Sequence, residues 1–191
     1  MSKEDLLVLK KEVETCTRCD LHKTRTNVVF GEGSANARIM LCGEAPGYWE
    51  DQKGRPFVGN AGKFLDELLS IAGLKREEVF IANILKCRPP GNREPRPEEI
   101  ELCTSFLNKQ IKIIKPRIIC TLGNYATSYI LEKYGFKSDS MGKIHGKVFR
   151  VSNLSTQLKI IPMYHPATAL YKPYMKEVIK RDWKLIKEEL K

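Results

Sequence analysis

Ile39-Met-Leu-Cys-Gly-Glu-Ala-Pro-Gly-Tyr-Trp-Glu-Asp51 is a short apolar run that stops abruptly at a Gly-Glu-Ala-Pro-Gly turn. Such a run, bounded by glycine and proline, reads as a buried strand of a parallel sheet. In open α/β sheets the ligand crevice lies beyond the carboxyl ends of the strands, so this turn would set the Glu44 carboxylate at a crevice mouth. Gly43 and Gly47 let the backbone come close to a bound group, while Pro46 stiffens the turn through its fixed φ and missing amide hydrogen. A second glycine-rich loop follows, Gly54-Arg-Pro-Phe-Val-Gly-Asn-Ala-Gly62, with Phe57 as its aromatic side chain.

On either side of this strand, extended and helical patterns alternate. Strands are expected over residues 38–42, 79–85, 117–122 and 158–164, each a short apolar run closed by polar, Gly or Pro residues. Helices are expected over 3–14, where Ser2 and Asp5 make a capping-box pattern; around Phe64 to Ala72, stopped by Gly73; from Pro97 to Ile114; from Ala126 to Tyr134; and from Pro173 to Leu190. Residues 136–157 read as a loop with a short extended segment at 147–151. The alternation predicts an α/β fold: a three-layer α/β/α sandwich around a four-stranded, mostly parallel sheet with right-handed crossovers. At 191 residues one domain, spanning 1–191, suffices to bury a core.

Lysine and arginine number 33 against 23 acids, a net charge of +10, which suits a polyanionic partner. There is no run of 18 apolar residues and no signal-peptide core at the N-terminus, so an intracellular protein with no membrane association is expected. In a reducing compartment six cysteines point to metal ligation rather than to disulfides. Cys16 and Cys19 form a C-x2-C pair, and Cys87 and Cys103 lie in and just beyond the basic loop Lys86-Cys-Arg-Pro-Pro-Gly-Asn-Arg-Glu-Pro-Arg-Pro97. Their spacing leaves a zinc ion and an iron-sulfur cluster both open. Cys42 and Cys120 fall within strands and are read as small buried hydrophobes.

Gly43-Glu-Ala-Pro-Gly47, Gly54-Arg-Pro-Phe-Val-Gly59, the Asn83-to-Arg93 segment, His165-Pro-Ala167 and the four cysteines, in this order over nearly the whole chain, resemble the family 4, iron-sulfur uracil-DNA glycosylases. The resemblance implies removal of uracil from DNA in base excision repair and a 4Fe-4S cluster on Cys16, Cys19, Cys87 and Cys103. It implies that Gly43, Glu44 and Ala45 line the substrate, that Phe57 stacks on uracil and that Asn83 reads its N3 hydrogen and O4. His165 would donate to O2 as charge develops there. The best-known branch of these enzymes carries an aspartate where Ala45 stands, so the resemblance turns to Glu44, with Glu50 and Asn92 as further candidates for holding water or sugar. Arg88, Arg93 and Lys172 would hold phosphates, and Leu170 would act as an apolar wedge. His22 and His145 are read as structural or surface residues.

The partner implied is uracil-containing DNA, single- or double-stranded, handled by a monomer in the cytoplasm, at the nucleoid, with a sliding clamp as a further candidate. The rival reading is a noncatalytic nucleic-acid-binding module with a structural four-cysteine zinc site. It accounts for the charge and the cysteines but not for Glu44, Phe57, Asn83 and His165 falling together at or beyond strand ends.

Overall fold

The computed structural model describes residues 2–153 and 156–190. In chain order the elements are α1 (Ser2–Glu14), β1 (Glu32–Gly33), β2 (Ile39–Gly43), α2 (Tyr48–Lys53), α3 (Asn60–Ile71) and β3 (Phe80–Asn83). There follow α4 (Pro97–Ile114), β4 (Ile118–Leu122), α5 (Asn124–Lys133), α6 (Met141–Ile144), β5 (Phe149–Asn153), β6 (Thr156–Met163), α7 (Thr168–Tyr171) and α8 (Lys176–Glu189). The side chain of Ser2, expected as a cap, and residues Leu154 and Ser155 of the expected 136–157 loop lie outside what is described.

One sheet runs in the order β1-β3-β2-β4-β6-β5. Its centre, β3-β2-β4-β6, is parallel and consists of the four strands expected from sequence. The sheet nevertheless has six strands rather than four, because β1 and β5 add antiparallel edges. β5 grows out of the extended segment expected at 147–151. β1 is two residues long and carries no pattern; it lies against Phe80 and Ile81, and Glu32 is held by Arg55 at 2.7 Å and Arg76 at 2.6 Å.

Strand side chains alternate between two cores. Met40, Cys42, Phe80, Ala82, Ile119 and Ile160 face the layer made by α1, α4 and α5. Ile39, Leu41, Ile81, Cys120, Ile161 and Met163 face α3 and α8, where Trp183 is fully buried. Both faces are therefore covered, as the continuous apolar strands require.

The crossovers bring the carboxyl ends of β2, β3 and β6 to the same side. Gly43 and Asn83 are register partners at the ends of β2 and β3, and Met163, two residues before His165, pairs with Leu122. A Cβ added to Gly123, just past β4, would come within 3.3 Å of the His165 Cβ. The loops carrying Glu44, Asn83 and His165 thus meet over the centre of the sheet, where the connection from β2 runs to one side and that from β3 crosses back to the other.

Candidate active site

A cleft of about 400 Å³ opens over these strand ends, lined among others by Glu44, Ala45, Glu50, Phe57, Asn83, Asn92 and His165. Asn83 is buried and its side-chain oxygen makes no hydrogen bond among the described residues. An unpaired buried amide oxygen costs about 1–3 kcal/mol, so the fold tolerates a group that a ligand could satisfy. Gly43 is needed beside it: a Cβ there would lie 2.4 Å from Asn83 Oδ1 and 2.8 Å from Phe57 Cζ.

Phe57 has φ of 51°, a left-handed conformation unusual for a side chain of this size. The packing that holds it is tight, since a Cβ on Gly62 of α3 would lie 1.9 Å from the Phe57 carbonyl oxygen. Its ring stacks against the His165 imidazole with centroids 5.5 Å apart and planes at 28°. The His165 Nδ1 accepts a hydrogen bond from the Ala167 amide at 3.1 Å. Nδ1 is therefore unprotonated, and the neutral ring carries its hydrogen on Nε2. Burial brings the His165 pKa down to about 4 against the opposing pull of the Glu50 carboxylate, which keeps the ring neutral at physiological pH.

The two glutamates differ in use. Glu44 is half-buried, and burial, reinforced by the Glu94 carboxylate, pushes its pKa up. Glu50 spends Oε1 on the Val58 and Gly59 amides at 2.9 and 3.0 Å, so it clasps the second glycine loop while lining the cleft. Next to it Asp51, to which no sequence motif points, is buried and accepts from the Thr26 amide at 2.9 Å. Asn92 accepts from Arg88 Nε at 2.6 Å. Arg93 lines the cleft and makes a double contact with Glu99 at 2.6 and 2.9 Å, which shapes its loop. Leu170 and Lys172 are exposed just beyond His165, with Leu170 on the one-turn helix α7.

Cys16, Cys19, Cys87 and Cys103 line a second, smaller cavity. Cys42 and Cys120 stand apart, fully buried in their strands, with thiols pushed up to about 12 by burial. Arg25 donates to Cys87 Sγ at 3.2 Å and to the Cys16 carbonyl at 2.9 Å, and the Lys86 amide donates to Cys103 Sγ at 3.2 Å. Lys86 itself is buried, its ammonium bound to the Asn83 carbonyl and to Gln110 Oε1, and burial brings its pKa down to about 8. No motif marks Lys86. Gln110 left a trace, as a polar residue on the inward face of α4 beside Leu107, Ile111 and Ile114. His145, bonded to the buried Asp182 at 2.6 Å, and His22, bonded to the Cys19 carbonyl at 2.7 Å, hold local structure.

The sequence profile of the Uracil DNA glycosylase superfamily matches residues 30–187. The chain belongs to the uracil DNA glycosylase superfamily. Within it, the chain is 45% identical over 185 residues to the type-4 uracil-DNA glycosylase of Archaeoglobus fulgidus, covering 97% of this chain and 93% of that one. It is 46% identical over 188 residues to the type-4 uracil-DNA glycosylase of Saccharolobus solfataricus, covering 98% and 87%. A type-5 uracil-DNA glycosylase of Pyrobaculum aerophilum is 29% identical over 150 residues, 71% of this chain and 63% of that one. The higher identity and fuller coverage place this glycosylase-superfamily chain on the type-4 branch.

Proposed function

We propose that this chain is a DNA repair glycosylase that flips uracil out of DNA and hydrolyses its N-glycosidic bond, leaving an abasic site. The observation that carries the reading is one juxtaposition: the unpartnered Asn83 oxygen, the Phe57 ring and a neutral His165 with its Nε2 hydrogen, all on one cleft. A flipped uracil offers a flat face, an N3 hydrogen with O4 beside it, and O2 on the other edge. Phe57 takes the face, the Asn83 amide the N3 hydrogen and O4, and His165 Nε2–H the O2 atom.

As the bond from C1′ to N1 breaks, its electron pair passes into the uracil ring and negative charge builds at O2. A donor already in place there costs no reorganisation, whereas a cationic histidine would demand a larger change of surroundings. Water adds to the electron-poor C1′, and its proton passes to the departing uracil anion, so the products are a sugar hydroxyl and neutral uracil. Glu44, whose raised pKa makes it a stronger base than a free carboxylate, holds that water or the sugar, and a dissociative reaction asks little more of it. Glu50 and Asn92 act at one remove, Glu50 through the loop that carries Phe57 and Asn92 through Arg88. Arg88 and Lys172 are left to hold phosphates and Leu170 to fill the gap in the stack.

The same proposal extends to a 4Fe-4S cluster on Cys16, Cys19, Cys87 and Cys103. A single zinc ion draws four sulfurs to about 2.3 Å from one centre. A cluster takes one thiolate per iron, which suits four cysteines around one cavity. When bound it supplies metal–thiolate links between the segment after α1 and the proline-rich loop. We read the chain as one domain acting as an intracellular monomer; no helix among the described residues is long and apolar enough to cross a membrane.

The test is Asn83→Asp, assayed by single-turnover excision from matched uracil- and cytosine-containing oligonucleotides across pH. A carboxylate loses the donor to O4, so uracil excision should fall steeply, and weak cytosine excision should rise as pH drops and the carboxyl protonates. Unchanged uracil excision would remove Asn83 as the base reader.

A further inference from the structure

The four residues Tyr48-Trp49-Glu50-Asp51 open α2 directly beyond the first glycine loop, and they divide into two kinds. The acids reach inward to backbone amides: Glu50 to Val58 and Gly59, Asp51 to Thr26 and Asn27. The aromatics stay in solvent, Tyr48 48% and Trp49 58% exposed, with ring centroids 5.1 Å apart and planes at 79°. The Arg88 guanidinium lies 5.2 Å from the Tyr48 ring centre and is itself steadied by Asn92. Gly47 and Asn92, on either side of this group, both line the cleft.

Two large aromatic rings on a helix pinned from beneath, with a cation against one of them, are not explained by the core, since neither ring belongs to it. They are a stacking surface continuous with the cleft mouth. Unpaired bases offer what fits it: π faces for the rings and a phosphate for the guanidinium, on a polyanion that a chain of net charge +10 attracts. We propose that Tyr48, Trp49 and Arg88 form a second nucleotide-binding site, which stacks an unpaired base of the strand whose target nucleotide enters the cleft and so favours single-stranded DNA. The proposal rests on the glycosylase reading for the strand's identity, but its test does not depend on uracil.

The chain has two tryptophans, and Trp183 is fully buried, so quenching of the exposed Trp49 reports directly on this surface. Titration with uracil-free oligo-dT should quench tryptophan emission, and the change should vanish in Trp49→Phe. Trp49→Ala should weaken oligo-dT binding about tenfold while altering duplex binding by no more than about twofold. Trp49→Phe, which keeps a stacking face, should bind oligo-dT nearly as wild type does, separating lost stacking from lost folding. Unquenched emission at saturating oligo-dT, with equal affinity in Trp49→Ala, would overturn the site. That result would leave uracil excision untouched, whereas a protein that binds oligo-dT through Trp49 yet never excises uracil would overturn the glycosylase reading alone.

Discussion

The Lys86 ammonium lies 2.9 Å from the main-chain carbonyl oxygen of Asn83. Its other partner, Gln110 Oε1, is 2.7 Å away, and Gln110 in turn donates to the Phe30 carbonyl at 2.8 Å. The Lys86 amide meanwhile points at Cys103 Sγ, and Cys87 follows directly in sequence. One buried lysine therefore joins the end of the strand that carries Asn83 to the cavity that carries the cysteines.

Lys86→Met should disturb both. The methionine fills most of the volume but strands the Asn83 carbonyl and the Gln110 amide oxygen, each costing about 1–3 kcal/mol if unpaired. The expected result is a lower thermal midpoint together with uracil excision reduced about tenfold. Calorimetry and single-turnover excision check this; a variant with wild-type values in both would make Lys86 a bystander.

The His165 pKa of about 4 fixes a sign for acid behaviour. An unfolded chain protonates this histidine near its ordinary value of 6.5, while the folded protein resists until about 4. Between those values the unfolded state binds more protons, so this group removes stability as pH falls from 6.5 towards 4 and adds no further loss below. Catalytically the ring should stay neutral, and His165 should limit excision only near pH 4. An NMR titration of the His165 Cε1 proton reads the pKa directly; a midpoint near 6.5 would contradict a ring held neutral in the cleft wall. His165→Ala should slow single-turnover excision by about 10²-fold.

Much of this arrangement was legible beforehand because periodicity and local chemistry carry it. The four parallel strands are apolar runs, and Glu44, Asn83 and His165 stand at or just past the ends of three of them. What escaped depends on partners that only folding brings together. Tyr48–Lys53 is a helix of six residues between two glycines, too short to show an apolar face. Its Glu50, a candidate for holding water, also grips the Val58 and Gly59 amides. Nothing in the sequence announces that Arg93, a candidate for holding phosphate, also meets Glu99 in the first turn of α4. Lys86 ends an apolar run and would ordinarily be placed in solvent; its burial follows from Gln110, which lies 24 residues further along the chain.

The cysteine cavity predicts a colour. Purified protein should be brown with broad visible absorption and iron near four atoms per chain, as four thiolate-bound irons require. Cys87→Ala should lose iron and weaken DNA binding, because Cys87 anchors the basic loop that holds Arg88 and takes the Arg25 hydrogen bond. Colourless protein carrying one zinc per chain would reject the cluster, and full iron with unchanged DNA affinity in Cys87→Ala would reject Cys87 as a ligand.

Gly43→Ala offers the most selective probe of the cleft. The glycine sits in the strand with no left-handed φ, so alanine suits its backbone, and the conflict is confined to what its methyl group meets. Those neighbours are the Asn83 amide at 2.4 Å and the Phe57 ring at 2.8 Å, and neither distance is tolerable for a real Cβ. Phe57 is braced behind by Gly62 and beside by His165, so the strain must appear as a displaced ring, a displaced amide or both. Overpacking of this kind costs about 1–3 kcal/mol of stability, which a domain of ordinary stability survives. A shift of about 1 Å in groups that read and stack the base should cost about 10²-fold in excision. Gly43→Ala should therefore remain folded, with its thermal midpoint lowered by only a few degrees, while single-turnover uracil excision drops by two orders of magnitude. Excision within twofold of wild type in the folded variant would mean that Asn83 and Phe57 do not hold the base.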